Sequence, residues 1–248
     1  MIETLPIPVV FAHRGACAYA PENTLSAFEL ALQQGAPAIE FDVKLTADGQ
    51  VVVIHDQTVE RTTNGSGKVG MLSLAALREL DAGSWRAEKY AGEKIPTLAE
   101  VFERFGHRIF MNVELTNYAS PFDTLVSKVT GLVQKHGLQQ NILFSSFFPH
   151  NLMKAAGLLP AVARAQLILP GASGRWQRLW ARFIDVQAEH PFAKDVSRKS
   201  VGAAHARHRR VHVWTVNTRD EMLRLKDLAV DGIFSDDPIE ALKTFTAS

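Results

Sequence analysis

Three acidic residues stand inside apolar stretches of this sequence, where an isolated carboxylate is costly to bury. Glu40 and Asp42 alternate with hydrophobic residues in the run IEFDV, and Glu114 lies in the run FMNVEL. Because side chains alternate between the two faces of a β-strand, Glu40 and Asp42 share one face. Two buried carboxylates repel each other and need a positive partner, which a hard divalent cation with oxygen ligands would supply. An edge strand with a solvated acidic face would produce the same pattern.

The second acidic stretch repeats this arrangement. Alternation places Asn112, Glu114 and Thr116 on one face of a predicted strand, and a glutamate buried within FMNVEL also needs a partner. Glu114 can therefore complete a set of three carboxylates with Glu40 and Asp42. Such an oxygen-rich set favours Mg²⁺ or Ca²⁺ over zinc.

Two histidines stand at the ends of apolar runs. His13 ends VVFAH and is followed by Arg14 and Gly15, whereas His55 ends VVVIH and is followed by Asp56. The carboxyl end of a parallel strand points into the mouth where α/β active sites form, so two histidines there can act as general base and general acid. Arg14 offers a planar fork of donors that suits phosphate oxygens. Taken alone, His13 is better explained as a residue that caps a loop, and His55 can be explained as a histidine that bonds to its neighbouring loop.

Other patterns predict less chemistry. Segment 65–68 reads GSGK and resembles a phosphate loop, but Val69 stands where Ser or Thr is required and no strand precedes it. Cys17 is the single cysteine, so no internal disulfide can form, and a lone cysteine is more often incidental than nucleophilic. Trp214 lies near the end of a later strand and is a candidate for the wall of a substrate pocket.

Short apolar runs alternate with longer amphipathic ones, and these elements must position the candidate residues. The predicted strands are Pro8–Ala12, Ala38–Leu45, Val51–His55, Arg108–Leu115, Asn141–Phe147, Ala163–Leu169, Ile184–Ala188, Arg210–Val216 and Gly232–Ser235. The predicted helices are Thr24–Gln34, Leu98–Phe105, Phe122–His136, Asn151–Leu159, Arg175–Phe183, Val196–His208 and Arg219–Leu228. Repeated strand–helix units predict a parallel sheet with helices outside it, either a closed (β/α)₈ TIM barrel or an open doubly wound sheet.

The chain length fits one barrel. The 248 residues are close to the roughly 250 that eight strand–helix units take, so we predict a single domain over residues 1–248. Residues Gln57–Ile95 interrupt the alternation with the runs TTNGSGKVG and DAGSW and one short helical run, Leu74–Leu80. We interpret them as an insertion on the rim of the domain.

The composition argues against some classes of partner. The chain has 27 basic and 26 acidic residues and a formal net charge of +1, which gives no reason to expect a nucleic acid or an anionic membrane as partner. The N-terminal sequence MIETLPIPVVFAHRG has no basic leader and no long apolar segment, so we predict neither a secretory signal nor stable membrane insertion. A cytoplasmic location is therefore expected, and the oligomeric state is left open.

The ordered set HRG, PENT, E-x-D, HD, VEL, SSF, WTVN and VDGIFSD, from His13 to Asp236, resembles the glycerophosphodiester phosphodiesterase family. The resemblance implies a (β/α)₈ barrel with a small insertion after the second strand region, similar to Gln57–Ile95. It also implies one divalent cation, usually Ca²⁺ or Mg²⁺, and a small-molecule glycerophosphodiester substrate that yields sn-glycerol 3-phosphate and an alcohol. The roles implied by position are metal ligands at Glu40, Asp42 and Glu114, an acid/base pair at His13 and His55, and a phosphate ligand at Arg14.

One position departs from the family pattern. Family members often carry a lysine two residues after the third carboxylate, near the phosphate, and this position is Thr116 here. Lys44 has the same strand phase as Glu40 and Asp42 and is a candidate for the replacement cation that contacts substrate. The departure bears on the preferred substrate more than on the type of reaction.

Two alternative functions fit the same residues. A lysophospholipase D would perform this chemistry on a substrate with an acyl chain, and would need an apolar groove at the mouth. Candidate residues for that groove are Phe147, Phe148, Trp176 and Trp180. A barrel that binds glycerophosphodiesters without cleaving them is the other alternative, and the lysine missing at position 116 is its only support.

Overall fold

The computed structural model describes residues 2–181 and 183–246, and the side chains of residues 175 and 179–181 lie outside that description. The strands in this part of the chain are β1 (Val9–His13), β2 (Ala38–Leu45), β3 (Val51–Val53), β4 (Phe110–Leu115), β5 (Ile142–Ser146), β6 (Ala163–Ile168), β7 (Ala188–Pro191), β8 (Arg210–Val213) and β9 (Gly232–Ser235). The α-helices are α1 (Leu25–Gln33), α2 (Leu74–Glu79), α3 (Leu98–Phe105), α4 (Leu125–Lys135), α5 (Pro149–Leu158), α6 (Gly171–Ala181), α7 (Arg198–His205), α8 (Arg219–Asp227) and α9 (Pro238–Phe245).

Eight of these strands form a closed parallel barrel. The strands other than β3 pair in the order β1-β9-β8-β7-β6-β5-β4-β2, and β1 also pairs in parallel with β2, which closes the ring. Closure confirms the predicted (β/α)₈ barrel and excludes the open doubly wound sheet. The strand β3 runs antiparallel to the end of β2, so it is not a barrel strand although its apolar run resembles one.

Alternation along each strand decides which residues face the helices and which face the barrel axis. On β2, Ile39, Phe41 and Val43 pack outward in a fully buried layer that includes Phe28 of α1 and Phe105 of α3. This layer explains why the apolar residues of IEFDV must point away from the axis, since apolar area is removed from water between strands and helices. The acidic residues between them therefore point into the barrel.

Side chains from several strands fill the barrel interior at the amino-terminal ends of the strands. Val9 and Phe11 of β1 form one buried cluster with Ala38 of β2, Phe110 of β4 and Phe234 of β9. The barrel is thus a packed core at its amino-terminal end. The carboxylates and histidines predicted to act in chemistry lie at the opposite end, where the strands end.

Several element boundaries differ from the sequence prediction, and two differences are larger than the rest. The strand predicted over Ile184–Ala188 lies instead at Ala188–Pro191, because Ile184 and Val186 pack against Leu152 in the connection before the strand. The strand itself carries Glu189 and His190, whose polarity hid it from a hydrophobicity argument. The helix α9 was not predicted; Asp237 caps it by accepting from the Glu240 amide, and Pro238 starts it.

The segment between β3 and α3 has a small core of its own. Val59, Val69, Leu77 and Ile95 are buried together against Val52 of β3. The segment contains α2 and two short 3₁₀ turns, Val69–Met71 and Glu88–Tyr90. Its definition as an insertion on a single domain stays a prediction. Among the described helices, none combines the length and apolarity required to cross a bilayer.

Candidate active site

Polar side chains converge on a cavity at the carboxyl ends of the barrel strands. The lining residues that bear on chemistry are His13, Arg14, Glu40, Asp42, His55, Asn112 and Glu114, and the apolar wall includes Phe147, Leu167, Trp214 and Phe234. This is the end of a (β/α)₈ barrel at which catalytic residues are found. The structure therefore brings the predicted carboxylates, both histidines, Arg14 and Trp214 to one cavity.

The three predicted carboxylates lie side by side on neighbouring strands. Asp42 of β2 is in register with Glu114 of β4, and Glu40 is in register with Asn112. One oxygen from each of Glu40, Asp42 and Glu114 lies within 4.8 Å of the others. Parallel pairing of β2 and β4 therefore produces the three-carboxylate set from two short sequence motifs.

Burial makes this set electrostatically unfavourable without a cation. Burial, reinforced by the charge of Asp42, raises the pKa of Glu114 to about 8. Burial also raises the pKa of Glu40 well above its ordinary value, and the charges of Asp42 and Glu114 add to the effect. For Asp42, burial acts in the same direction, but the charges of His55 and Arg14 outweigh it and the net pKa is lowered.

An amide oxygen in the same cavity also lacks a protein partner. Asn112 is 1% exposed, and its Nδ2 donates to Ser145 Oγ at 3.0 Å. Its Oδ1 is buried and accepts no hydrogen bond from the described residues. Buried carboxylate oxygens beside an unpartnered amide oxygen are the donor set of a hard divalent cation, so these residues fit such an ion.

Each histidine is oriented by a carboxylate that binds its Nδ1. His13 Nδ1 lies 2.6 Å from Asp236 Oδ1, and His55 Nδ1 lies 2.7 Å from Asp56 Oδ1. This contact leaves Nε2 of both rings available to the cavity, and His13 Nε2 is 3.9 Å from Glu40 Oε2. A carboxylate on Nδ1 fixes the tautomer and stabilises the imidazolium, as proton transfer requires.

The two histidines reach the cavity by different routes. His13 is the last residue of barrel strand β1, as predicted. His55 instead follows the antiparallel strand β3, after which the Ile54 amide donates to the Asp42 carbonyl at 3.0 Å. The reversal after β2 therefore returns His55 to the level of Asp42, and the assumption that both histidines end parallel strands was wrong for His55.

The HRG motif turns the chain sharply beneath the carboxylates. Arg14 has a φ of 54° and its amide donates to Glu40 Oε2 at 3.1 Å. Gly15 has a φ of +84°, and a Cβ there would lie 2.7 Å from Ala27 atoms, so only glycine fits. The Arg14 side chain lines the cavity, where Nη1 donates to Glu22 Oε1 at 2.8 Å and Nε lies 3.7 Å from Asp42 Oδ2.

Residues 13–240 match the sequence model of the glycerophosphoryl diester phosphodiesterase family. The chain belongs to this family. It is 36% identical to a glycerophosphodiester phosphodiesterase of Caldanaerobacter subterraneus over 93% of this chain and 94% of the relative. It is 34% identical to the enzyme of that name from Bacillus altitudinis, over 94% and 96%.

A solved member of the family has the same fold. A phosphodiesterase of Oleispira antarctica, in complex with the product sn-glycerol-3-phosphate, superimposes with a TM-score of 0.88. The two chains are 33% identical, and the match covers 97% of this chain and 98% of the other. The family and barrel predicted from the ordered motifs are therefore confirmed.

The position at which this chain departs from the family pattern is occupied by a hydrogen-bonded pair. Lys44 Nζ donates to Thr116 Oγ1 at 2.8 Å and to the Thr116 carbonyl at 3.2 Å. Lys44 is buried, and it lines a second depression that adjoins the cavity and shares Glu114 and His55 with it. The Lys44 ammonium thus lies beside position 116, but Thr116 accepts hydrogen bonds from two of its three protons.

Of the described residues proposed for an acyl groove, only Phe147 lines the cavity. Phe147 lines the cavity, and Phe148 packs against Tyr118 with ring centroids 4.9 Å apart. Trp176 is 69% exposed on α6, away from the cavity lining, and the side chain of Trp180 lies outside the described residues.

The sequence analysis missed several residues that contact the predicted site residues. Asp236 was noted within VDGIFSD but was given no role, and Asp56 was noted only as the neighbour of His55. Tyr118 donates to Glu114 Oε1 at 2.8 Å, and Asn217 donates to Asp236 Oδ2 at 2.6 Å. An acid adjacent to a histidine in sequence could have identified Asp56, but no local pattern indicates that Asp236 meets His13 across the barrel.

Proposed function

We propose that this member of the family hydrolyses glycerophosphodiesters to sn-glycerol 3-phosphate and an alcohol, by acid–base catalysis between His13 and His55 beside one divalent cation. Family membership supports the reaction. The observation that carries the mechanism is the convergence of three buried carboxylates within 4.8 Å of one another, next to two histidines whose Nδ1 atoms are already bound.

Glu40, Asp42 and Glu114 would hold the cation, Mg²⁺ or Ca²⁺. When bound, it supplies positive charge that offsets the phosphodiester charge and the charge that develops at phosphorus. Without a cation, burial and then mutual repulsion disfavour the ionised carboxylates, and both effects raise the pKa values of Glu40 and Glu114. Oxygen ligands without sulfur favour these two ions over softer metals.

His13 and His55 would divide the proton transfers. One Nε2 accepts the proton of the nucleophile, and the other donates a proton to the leaving alkoxide. The nucleophile is water or the glycerol hydroxyl adjacent to the phosphate, which would give a cyclic intermediate. Asp236 and Asp56 hold the rings in place, because each carboxylate accepts from an Nδ1.

Arg14 and Lys44 would bind the phosphate oxygens, and Trp214 would form part of the substrate pocket. Arg14 lines the cavity next to Asp42 and provides charge-assisted hydrogen bonds. Lys44 has one proton left after its two bonds to Thr116. Trp214 is fixed by donation from Nε1 to the His190 carbonyl at 2.7 Å, so its ring presents a rigid wall.

A continuous row of aromatic rings favours lysophospholipids as a second candidate substrate. Phe122 is 91% exposed and contacts His150 at 5.3 Å between ring centroids. The row continues through Phe148 and Tyr118 to Phe147 at the cavity wall, with centroids 4.9 to 5.8 Å apart. An acyl chain could lie along these rings, whereas a substrate without an acyl chain would not need such an apolar surface.

A substrate panel tests the proposal. The parent protein, His13→Ala and His55→Ala are assayed with glycerophosphocholine and lysophosphatidylcholine in EDTA, Mg²⁺ and Ca²⁺. We expect metal-dependent release of glycerol 3-phosphate from the parent and a loss on the order of 10²–10⁴-fold in each variant. Wild-type turnover in both variants would refute the mechanism, and binding without turnover by the parent would favour a non-catalytic barrel.

A further inference from the structure

An arginine outside the barrel strands, Arg61, links two carboxylates at the edge of the site. Arg61 Nε donates to Asp56 Oδ2 at 2.6 Å, and Nη1 donates to Glu22 Oε2 at 2.7 Å. Its Nη2 donates to Glu22 Oε1 at 2.8 Å and to Asp56 Oδ1 at 3.1 Å. One planar guanidinium therefore binds both oxygens of both carboxylates, which a lysine ammonium cannot do.

Each of these carboxylates has a second partner that belongs to the active site. Asp56 Oδ1 binds His55 Nδ1 at 2.7 Å, and Glu22 Oε1 accepts from Arg14 Nη1 at 2.8 Å. Arg61 is thus one contact removed from a proposed acid/base group and from a proposed phosphate ligand. Arg61 is not among the residues that line the cavity.

The charges of this network balance in pairs. Arg14 and Arg61 face Glu22 and Asp56, next to three more acids in the cavity. Without Arg61, Asp56 would be held through His55 and Glu22 through Arg14, each at one oxygen, and Arg14 would have to balance Glu22 as well as the cavity acids. The guanidinium therefore fixes the direction in which both carboxylates present their oxygens.

The Arg61 side chain is too exposed for its ion pairs to contribute much to the stability of the fold. The Arg61 side chain is 45% exposed, and exposed ion pairs typically contribute only about 0–1 kcal/mol to stability. Loss of Arg61 should therefore leave the folded state intact. A misplacement of about 1 Å at a reacting group, in contrast, can cost about 10²-fold in rate.

We propose that Arg61 is a positioning residue that orients His55 through Asp56 and Arg14 through Glu22 at the same time. This inference rests on the proposed function, because it assigns Arg61 to the same phosphodiesterase site. The segment between β3 and α3 would then contribute to the active site, because it supplies Arg61.

The test compares Arg61→Ala, Arg61→Lys and the matched control Arg78→Ala with the parent. Arg78 lies on α2 of the same segment and pairs with Glu100, and neither residue lines the cavity. Steady-state kinetics with glycerophosphocholine give kcat and KM separately, and thermal unfolding and circular dichroism report the fold. Each protein is also assayed with guanidinium chloride at low millimolar concentration, which can occupy the space that Arg61→Ala leaves.

We expect Arg61→Ala to lose about 10²-fold in kcat/KM, mainly in kcat, with an unchanged fold. Guanidinium should restore at least ten-fold of that loss in Arg61→Ala and should leave the parent and Arg78→Ala unaffected. Arg61→Lys should fall between Arg61→Ala and the parent. Activity of Arg61→Ala within three-fold of the parent, an equal loss in Arg78→Ala, or no restoration by guanidinium would overturn the inference. An inactive parent would refute the proposed function itself, and the inference with it.

Discussion

A buried pair of imidazoles inside the barrel predicts marked destabilisation in acid. His190 of β7 and His212 of β8 are fully buried, with Nε2 and Nδ1 3.1 Å apart. Their rings pack against Phe234 and Phe11. Burial lowers the pKa of His190 to about 3. Burial, together with the His190 and Arg210 charges, lowers the pKa of His212 well below its ordinary value.

The sign and size follow from proton binding in the two states. An unfolded histidine has a pKa of about 6.5, so below that pH the unfolded chain binds more protons than the folded one. Stability contributed by each neutral imidazole is complete above pH 6.5 and is lost as the pH falls towards the folded pKa. The loss is about 1.4 kcal/mol per pH unit, or about 2.7 kcal/mol for His190 at pH 4.5. Burial opposes protonation of His212 in the same way, so its loss adds to that of His190.

The measurement must separate these imidazoles from the cavity acids. Glu40 and Glu114 have raised pKa values, so the repulsion that they cause weakens as the pH falls, which is the opposite sign. We therefore compare the parent with the double variant His190→Leu/His212→Leu by urea unfolding from pH 7.5 to 4.5, because the acids are the same in both proteins.

The difference in unfolding free energy, variant minus parent, should increase from pH 6.5 to 4.5 by at least the roughly 2.7 kcal/mol that His190 contributes. The control His107→Asn, in which an exposed histidine is replaced, should follow the parent at every pH. A difference that stays constant across this range would show that the two imidazoles are protonated in the folded protein, and would refute the reasoning.

Three further predictions concern the cavity. Without divalent ions at pH 7, Glu114→Gln should have a higher Tm than the parent, because the folded state no longer has to protonate or bury a carboxyl group that is ionised in the unfolded chain. Calorimetry should show that Mg²⁺ or Ca²⁺ no longer stabilises it; stabilisation equal to the parent's would contradict its role as a ligand. Asp236→Asn should lower kcat on the order of 10²-fold or more, because an amide cannot stabilise the His13 imidazolium, while Tm changes little; an unchanged kcat would exclude the orienting role. Gly15→Ala should cost at least about 2 kcal/mol in urea unfolding, since its φ is +84° and a Cβ would contact Ala27 at 2.7 Å, and parent-like stability would contradict this.

Strand alternation accounts for what could be predicted of the site. In β2, the apolar residues Ile39, Phe41 and Val43 pack on the helices, so the acids between them had to face the axis. The register of β2 with β4 then placed Glu114 beside Asp42. Sequence spacing gives the face of each residue, but the pairing of strands that are distant in the chain had to come from the structure or from the family resemblance.

The parts that could not be predicted depend on long-range contacts or on polar interior positions. Asp236 reaches His13 across 223 residues of sequence, and no local pattern indicates that contact. The strand β7 contains His190, which the barrel buries against His212 and Phe234, so a rule that equates strands with apolar runs placed it too early. The helix α9 begins with Asp237 and Pro238, a start signal that the sequence analysis left unused.

Position 116 carries threonine where family members often carry lysine, but a lysine side chain from the adjacent strand lies beside it. The register of β2 with β4 ends at Val43 and Leu115, so Lys44 and Thr116 are the next neighbours along the two strands. Thr116 Oγ1 donates to the Val43 carbonyl at 2.8 Å and accepts from Lys44 Nζ, so the threonine holds the ammonium between the strands. Burial lowers the pKa of Lys44, and the nearby charges of Asp42 and Glu114 act in the opposite direction by attracting the ammonium. The adjacent strand β2 therefore supplies a lysine ammonium at this edge of the cavity. This weighs against the alternative that the barrel only binds glycerophosphodiesters, because the lysine missing at position 116 was its only support.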